Sequence, residues 1–356
     1  MKKLITFLPQ VNDGGLEKNF FSTIKNLKKS GIKLFVICCS KKKFNKKLKI
    51  NEKTGIFQLD KFPLQAKLIF SFLFLIYYNF RKKYPILSFQ GNVYAIIASK
   101  IINCKIYIRL NSHPNYHIKG YIKKKIFIFF YKMADKIIVN SKEIKKTLKY
   151  EYNLNSNLIY NELDRNNIIN KSRKNIRIKF SSNYPIIISV GRLDKNKNHI
   201  FLIEAFNALR KSLKYNLIIL GSGNQNQYLL NKINEYQLRD NIKIINYKDN
   251  PYPYMKISQF IVLPSKIEGY PNVLLEAGVL GKPIISNNIS GPREIIGRDE
   301  RGFLFNTKSY SKFYNILNKI KNKKIIKNKV DNLKKYIKNY HSLDHSNKYI
   351  NLIFKQ

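Results

Sequence analysis

Residues 265–283 read SKIEGYPNVLLEAGVLGKP. Before them stands QFIVLP, a short continuous apolar run of the kind that forms a strand buried on both faces. After them the apolar residues fall at helical spacing. Glu268 therefore sits in the loop between a strand and a helix, and Glu276 about one turn into that helix, with seven residues between the two. A carboxylate in the second position suits both hydroxyls of a ribose. Gly269 and Pro271 shape the loop so that main-chain N–H groups at the helix start face outward, a natural seat for an anion. The bland alternative is that Glu268 caps the helix and Glu276 is a solvated helix residue. The rest of the chain decides between these readings.

Outward from this segment, short β-rich runs alternate with amphipathic stretches, the signature of α/β layers on parallel sheets. Around residues 265–283 stand PIIISVG, HIFLIEAFNALRKS, NLIILG, NIKIINY, KPIIS and GFLF. Nearer the N-terminus come LITFL, a helix over 16–30 stopped by Gly31, then KLFVICC, PILSF, CKIYIRL and KIIVN. Ser141 is the expected N-cap of the helix that follows, with Glu143 in its first turn. At about 150 residues per domain, 356 residues predict two domains. The polar, basic stretch 161–183 has weak periodicity and reads as the linker. The expected divisions are 1–165, 184–335 and a C-terminal helix over 336–356. The tail is Lys-rich and helical, and its apolar end YINLIF must pack on something. Two doubly wound sheets bind ligands at the carboxyl ends of their strands, so the loops after strands are the informative ones.

Lys and Arg number 67 against 21 acids, a formal charge of +46. Such a field favours polyanions: nucleic acid, anionic headgroups or phosphorylated substrates. Codon bias toward Lys, Asn and Ile gives a competing account of the same charge. The lysines are spread along the whole chain, whereas nucleic-acid modules concentrate them, and no RNP motif, zinc finger or helix-turn-helix stands out. Specific nucleic-acid binding is not expected. Cys38, Cys39 and Cys104 have no metal-ligand spacing and read as buried thiols in a reducing compartment. The N-terminal MKKLITFLPQ is too short in apolar residues for a signal peptide. Residues 68–78, LIFSFLFLIYY, are almost wholly apolar and flanked by Lys67, Arg81, Lys82 and Lys83. They are too few to span a bilayer. They predict either a core helix or one lying in an anionic membrane interface, and an interfacial or part-buried helix is preferred.

Walker A, HExxH, GxSxG and Asp-X-Asp patterns are all absent, which disfavours the usual nucleotide–metal carboxylate pair. GSGNQN at 221–226 begins like a dinucleotide fingerprint but lacks the third glycine. The segment SxxEGYPNVLLEA followed by GKPII resembles the nucleotide-sugar site of retaining glycosyltransferases of family 4, which have the GT-B fold. PQVNDGGLEK is similar to the Gly-Gly-X-Glu loop of that family. SVGRLDKNKNHIFLIEAF, LIILGSG, SGPREII and RGFLF follow in the family's order. The resemblance covers most of the chain and is strongest over 187–305.

The resemblance implies two Rossmann-like domains facing each other across a cleft, with the C-terminal helix returning to the first. It implies a hexosyltransferase of the EC 2.4 class using a UDP- or GDP-sugar donor, with no bound cofactor and no metal. Arg192 and Lys197 would meet the leaving diphosphate, Arg as a fork and Lys as a point charge. Lys195 competes for the second role, and its spacing from Arg192 favours Lys197. Gly14 and Gly15 would let the first loop approach phosphates, through a missing Cβ and tolerance of positive φ; Glu17 belongs to the same loop. His113 would face the donor sugar, with His117 as the alternative and Arg109 and Asn111 as acceptor or sugar contacts. Glu268 would touch sugar hydroxyls and Glu276 the ribose. Gly191, Gly269, Asn272 and Val273 would line the donor site, with Ser290, Gly291 and Glu294 as weaker additions.

No base and nucleophile pair is evident, consistent with the front-face mechanism the resemblance implies. The expected acceptor is a lipid-linked oligosaccharide or a polysaccharide or lipopolysaccharide precursor. The expected place is the cytoplasm, peripheral on the cytosolic face of an anionic membrane. A GT-B sugar-nucleotide epimerase or phosphorylase is the alternative, and a basic nucleic-acid-binding protein a weaker one.

Overall fold

The computed structural model describes residues 2–12, 14–40, 55–341 and 345–355. The chain forms two compact units, one of residues 1–162 with 343–356, the other of residues 163–342. The polar stretch 161–183 is not a bare linker. It contains α6 (Arg165–Ser172), which packs inside the second unit on α9 (Tyr252–Ile257) and α10 (Asn272–Val279). Ile168 is the one apolar residue α6 buries, so its sequence shows almost no period.

The first unit is a seven-stranded parallel sheet with order β3-β2-β1-β4-β5-β6-β7. Its main strands are β1 (Lys3–Phe7), β2 (Lys33–Cys38), β4 (Ile86–Ser88), β5 (Ile106–Leu110) and β6 (Lys136–Val139). Two-residue strands β3 (Gly55–Ile56) and β7 (Asn157–Leu158) close its edges. In β1 every residue but Lys3 is buried, as a strand covered on both faces must be. Helix α1 (Gly15–Lys29) ends where Gly31 takes φ +79°, a left-handed conformation that glycine adopts without a Cβ clash. Helices α2 (Leu64–Asn79), α3 (Asn92–Ile102) and α4 (Tyr121–Lys132) lie side by side in one layer. Helix α5 (Lys142–Tyr152) is capped as expected: the Ser141 hydroxyl accepts the Ile144 N–H at 3.1 Å.

The second unit is a six-stranded parallel sheet of order β10-β9-β8-β11-β12-β13. Its strands are β8 (Ile186–Val190), β9 (Asn216–Leu220), β10 (Ile242–Ile245), β11 (Phe260–Leu263), β12 (Ile284–Asn287) and β13 (Phe303–Phe305). The helices α7 (His199–Ala208), α8 (Asn226–Glu235), α11 (Ser290–Ile296), α12 (Tyr310–Lys319) and α13 (Lys323–Tyr340) complete it. Strand order reverses between β8 and β11, where the loops leaving the two carboxyl ends diverge. That divergence is the usual ligand position of a doubly wound sheet.

The C-terminal segment divides later than residue 336. Helix α13 stays in the second unit, against α10, and only α14 (Ser346–Phe354) joins the first. There Tyr349 and Ile353 of YINLIF complete the core formed by β1, β2 and α1. Cys38 and Cys39 are buried thiols, and burial pushes Cys38 up to about 12.

Candidate functional site

The loop after β8 is folded by its own side chains. Asp194 accepts the main-chain N–H groups of Asn196 and Lys197, each at 3.0 Å, and its other oxygen lies 3.4 Å from Arg192. Arg192 is otherwise extended into solvent, its side chain 68% exposed. Lys197 folds back so that its stem lies against Gly191, where a Cβ would sit 3.5 Å from it. Lys195 is exposed. Glycines of the set-aside GSGNQN motif make room for this loop. A Cβ on Gly221 would lie 1.8 Å from the Gly191 carbonyl oxygen, and one on Gly223 would lie 2.3 Å from that of Leu193.

The loop after β11 meets it. Lys266 N–H donates to the Asn196 carbonyl at 2.8 Å, and Asn198 Nδ2 donates to the Pro264 carbonyl at 3.2 Å. Between these ties Lys197 Nζ lies 2.5 Å from Glu268 Oε1, which also accepts the Ser265 hydroxyl at 2.7 Å. The expected phosphate cation and the expected sugar carboxylate thus form one mostly buried pair. Such a charge-assisted contact in a dry setting fixes both side chains.

Gly269, Pro271, Asn272 and Val273 lead into α10, whose first turn carries no side-chain cap. Glu276, 3% exposed, stands one turn into α10, and the Tyr252 hydroxyl donates to its Oε1 at 3.4 Å. Burial and the neighbouring Glu276 charge push the Tyr252 phenol far above its usual range, so it stays a donor. Gly291 permits a close passage, since its Cβ would lie 2.1 Å from the Gly269 carbonyl oxygen. Ser290 opens α11, and Glu294 lies within it.

Gly14, Gly15 and His113 belong to the first unit, on loops after β1 and β5. Gly14 has φ −138° and is extended, so positive φ is not why glycine stands there. Instead, a Gly14 Cβ would meet the Glu17 carboxylate of its own loop at 2.9 Å. Glu17 accepts the Asn12 N–H at 2.9 Å, tying the loop to the start of α1. His113 is 8% exposed, with Nε2 3.0 Å from the Thr147 hydroxyl and Nδ1 without a hydrogen-bond partner. Burial lowers its pKa, which favours a neutral imidazole. His117 is exposed.

Arg109 departs from expectation. It is 2% exposed and gives its guanidinium to Asn111, Asn161 and Tyr349. Burial lowers it to about 10, partly offset by Glu162. It clamps α14 to the sheet through these contacts and, being buried, is not presented to a ligand. The sequence reading also passed over His199, Tyr252, Ser265 and Thr147. His199 Nε2 lies 3.2 Å from the Arg192 carbonyl, which only accepts, so that nitrogen carries the proton and Nδ1 accepts the Ser189 hydroxyl at 3.2 Å. The signal for His199 was its place directly after KNKN, at the start of a helix.

Among the described residues no cluster of three or more His, Cys, Asp or Glu could hold a metal ion. Residues 170–340 match the family described as Glycosyl transferases group 1. A Campylobacter jejuni enzyme, N-acetylgalactosamine-N,N'-diacetylbacillosaminyl-diphospho-undecaprenol 4-alpha-N-acetylgalactosaminyltransferase, is 35% identical over 187 residues, 51% of this chain and 50% of the relative. The alignment thus spans about half the length of that relative. A Haemophilus influenzae protein named as an uncharacterized glycosyltransferase is 25% identical over 85% of this chain and 86% of its own. Among solved structures, Anabaena HepE in complex with UDP-glucose superposes with a TM-score of 0.80 at 18% identity, covering 98% of each chain. Residues 170–340 thus resemble the glycosyl transferases group 1 family, in a chain whose two Rossmann-like units have the fold of GT-B glycosyltransferases.

Proposed function

We propose that this chain is a retaining, metal-independent hexosyltransferase. It moves a sugar from a UDP-sugar to a hydroxyl of a lipid-linked oligosaccharide or surface-polysaccharide precursor, at the cytosolic face of a membrane. The observation that carries the reading is the Lys197–Glu268 pair, set where strand order reverses, with Glu276 one turn into the adjoining helix. Departure of a nucleoside diphosphate builds charge on phosphate oxygens. Arg192 supplies a solvent-facing fork and Lys197 a positioned ammonium, while the start of α10 adds main-chain dipoles. Glu268 takes donor-sugar hydroxyls and Glu276 takes the ribose; the resemblance assigns His113 to the donor sugar. HepE holds UDP-glucose, which supports uridine in the donor, and the Campylobacter relative's diphospho-undecaprenol name supports a lipid-linked acceptor.

The test is transfer from UDP-sugars to polyprenyl-diphosphate-linked acceptors, with the anomeric configuration of the product read by NMR. Retention with UDP release, undiminished by EDTA, is expected. Arg192→Ala and Glu276→Ala should each lower kcat/KM by about 10²–10³ while the protein stays folded. Wild-type turnover in either variant removes that residue from the site. Epimerised or phosphorolysed donor in place of glycoside overturns the reading.

A further inference from the structure

Helix α2 is amphipathic the wrong way round for a helix on a protein in water. Its buried stripe is Lys67, Ser71, Leu75 and Asn79. The polar members are satisfied inside: Lys67 donates to the Asp60 carbonyl at 3.1 Å, Ser71 lies 3.1 Å from the Cys39 sulfur, and Asn79 donates to the Tyr84 carbonyl at 2.9 Å. The opposite stripe is apolar and open: Ile69 is 50% exposed, Leu73 58%, Tyr77 82%, and Phe80 just beyond the helix 57%. A helix facing water shows the reverse pattern. Phe72 and Phe74, by contrast, pack against the core of the unit.

The same outward stripe recurs on α4, in the same helical layer across α3. Ile122 is 73% exposed, Ile126 51% and Phe129 63%. Exposed cations rim both stripes: Lys61 and residues 81–83 beside α2, Lys119, Lys123 and Lys125 beside α4. No Asp or Glu occurs anywhere between Asp60 and Asp135. Apolar stripes inside an acid-free basic rim complement one partner, an apolar surface edged with negative charge.

We infer that the α2–α4 face docks the first unit onto an anionic lipid leaflet, the two outward stripes entering the headgroup–acyl boundary and the lysine rims contacting lipid phosphates. Among the described residues no helix is long and apolar enough to cross a membrane, so the contact is in-plane. A second copy of the chain is a poor occupant, because it would set one basic rim against another. The inference rests on this face alone and stands whether or not the transfer reaction is as proposed.

The chain has no tryptophan, so one introduced residue is a unique probe. Tyr77→Trp and Phe129→Trp, each in the full chain, are mixed with vesicles of phosphatidylcholine alone or with about one-third phosphatidylglycerol. Tyr228→Trp on α8 serves as the control. The expected result is a blue shift and quenching by brominated lipid chains for the first two probes and neither for the third, with binding weakened by salt. Leu73→Glu with Ile126→Glu should lower vesicle partitioning by about tenfold or more at an unchanged melting temperature. No partitioning onto anionic vesicles overturns the proposal, as does quenching of only one of the two probes. A dimer in light scattering that the Glu variants dissociate, without vesicle binding, overturns it in favour of self-association. Should the Glu variants fail to fold, the two tryptophan probes decide the question alone.

Discussion

Lys197 and Glu268 hold each other at 2.5 Å, and removing one partner strands the other. Lys197→Met leaves Glu268 with the Ser265 hydroxyl alone and should cost about 1–3 kcal/mol in urea unfolding, beyond the loss of transfer. Arg192→Ala should cost almost nothing in stability, because its contact with Asp194 is an exposed ion pair worth about 0–1 kcal/mol. His199 gives a pH signature. Burial lowers it from 6.5 to about 4, so as pH falls the unfolded chain takes up the proton first. Its stabilisation is complete above about pH 6.5 and is lost progressively toward about pH 4, by roughly 3 kcal/mol in all. His199→Gln should flatten that part of the stability–pH curve, measured by urea unfolding between pH 7 and pH 4. Glu268 and Glu276 were legible as a spaced pair in the sequence. The mutual contact of Lys197 and Glu268 was not, since they lie on different loops 71 positions apart.

Two elements depend on close passages that composition does not disclose. The loop after β9 crosses under the loop after β8 only because Gly221 and Gly223 have no side chains. Gly221→Ala should shift the Gly191–Arg192 backbone and cost about 1–3 kcal/mol, with donor affinity falling more than in a surface control; a thermal shift with UDP reads it. Helix α14 is held by Arg109, whose guanidinium reaches Asn111, Asn161 and Tyr349. Arg109→Met removes the contacts to Asn111, Asn161 and Tyr349. It should destabilise the first unit by about 2–4 kcal/mol and speed hydrogen exchange in α14 before the rest of that unit. An arginine at the end of β5, just before the histidine loop, looked like a ligand contact. Burial makes it a clamp, and burial is a property of what packs around the residue. Helix α2 shows the same limit. Its apolar composition was plain, but which stripe faces inward depends on Asp60, Cys39 and Tyr84, each contributed by another segment.

For the whole molecule the comparisons and the topology agree on two parallel α/β sheets of the GT-B kind. A ligand that binds only the native chain raises its stability, by about 2.7 kcal/mol at a hundredfold excess over Kd. UDP is expected to raise the melting temperature of the wild type and to do so much less in Arg192→Ala. Equal shifts in both would take Arg192 out of the diphosphate contact. The charge of +46 belongs to this scale as well. Its long-range part should speed encounter with anionic surfaces and fade as salt shortens the Debye length, whereas the apolar stripes of α2 and α4 should not respond to salt.

By itself the sequence determined the strands, their alternation with helices and the spacing of Glu268 and Glu276. Strands buried on both faces must be continuous apolar runs, and helix caps and turns act over a few residues. Only the tertiary structure decided that Lys197 pairs with Glu268, that Arg109 fastens α14, that residues 165–172 form a packed helix, and that α2 turns its apolar stripe outward. Each of those depends on atoms brought together from distant parts of the chain, where desolvation and packing outweigh local preference.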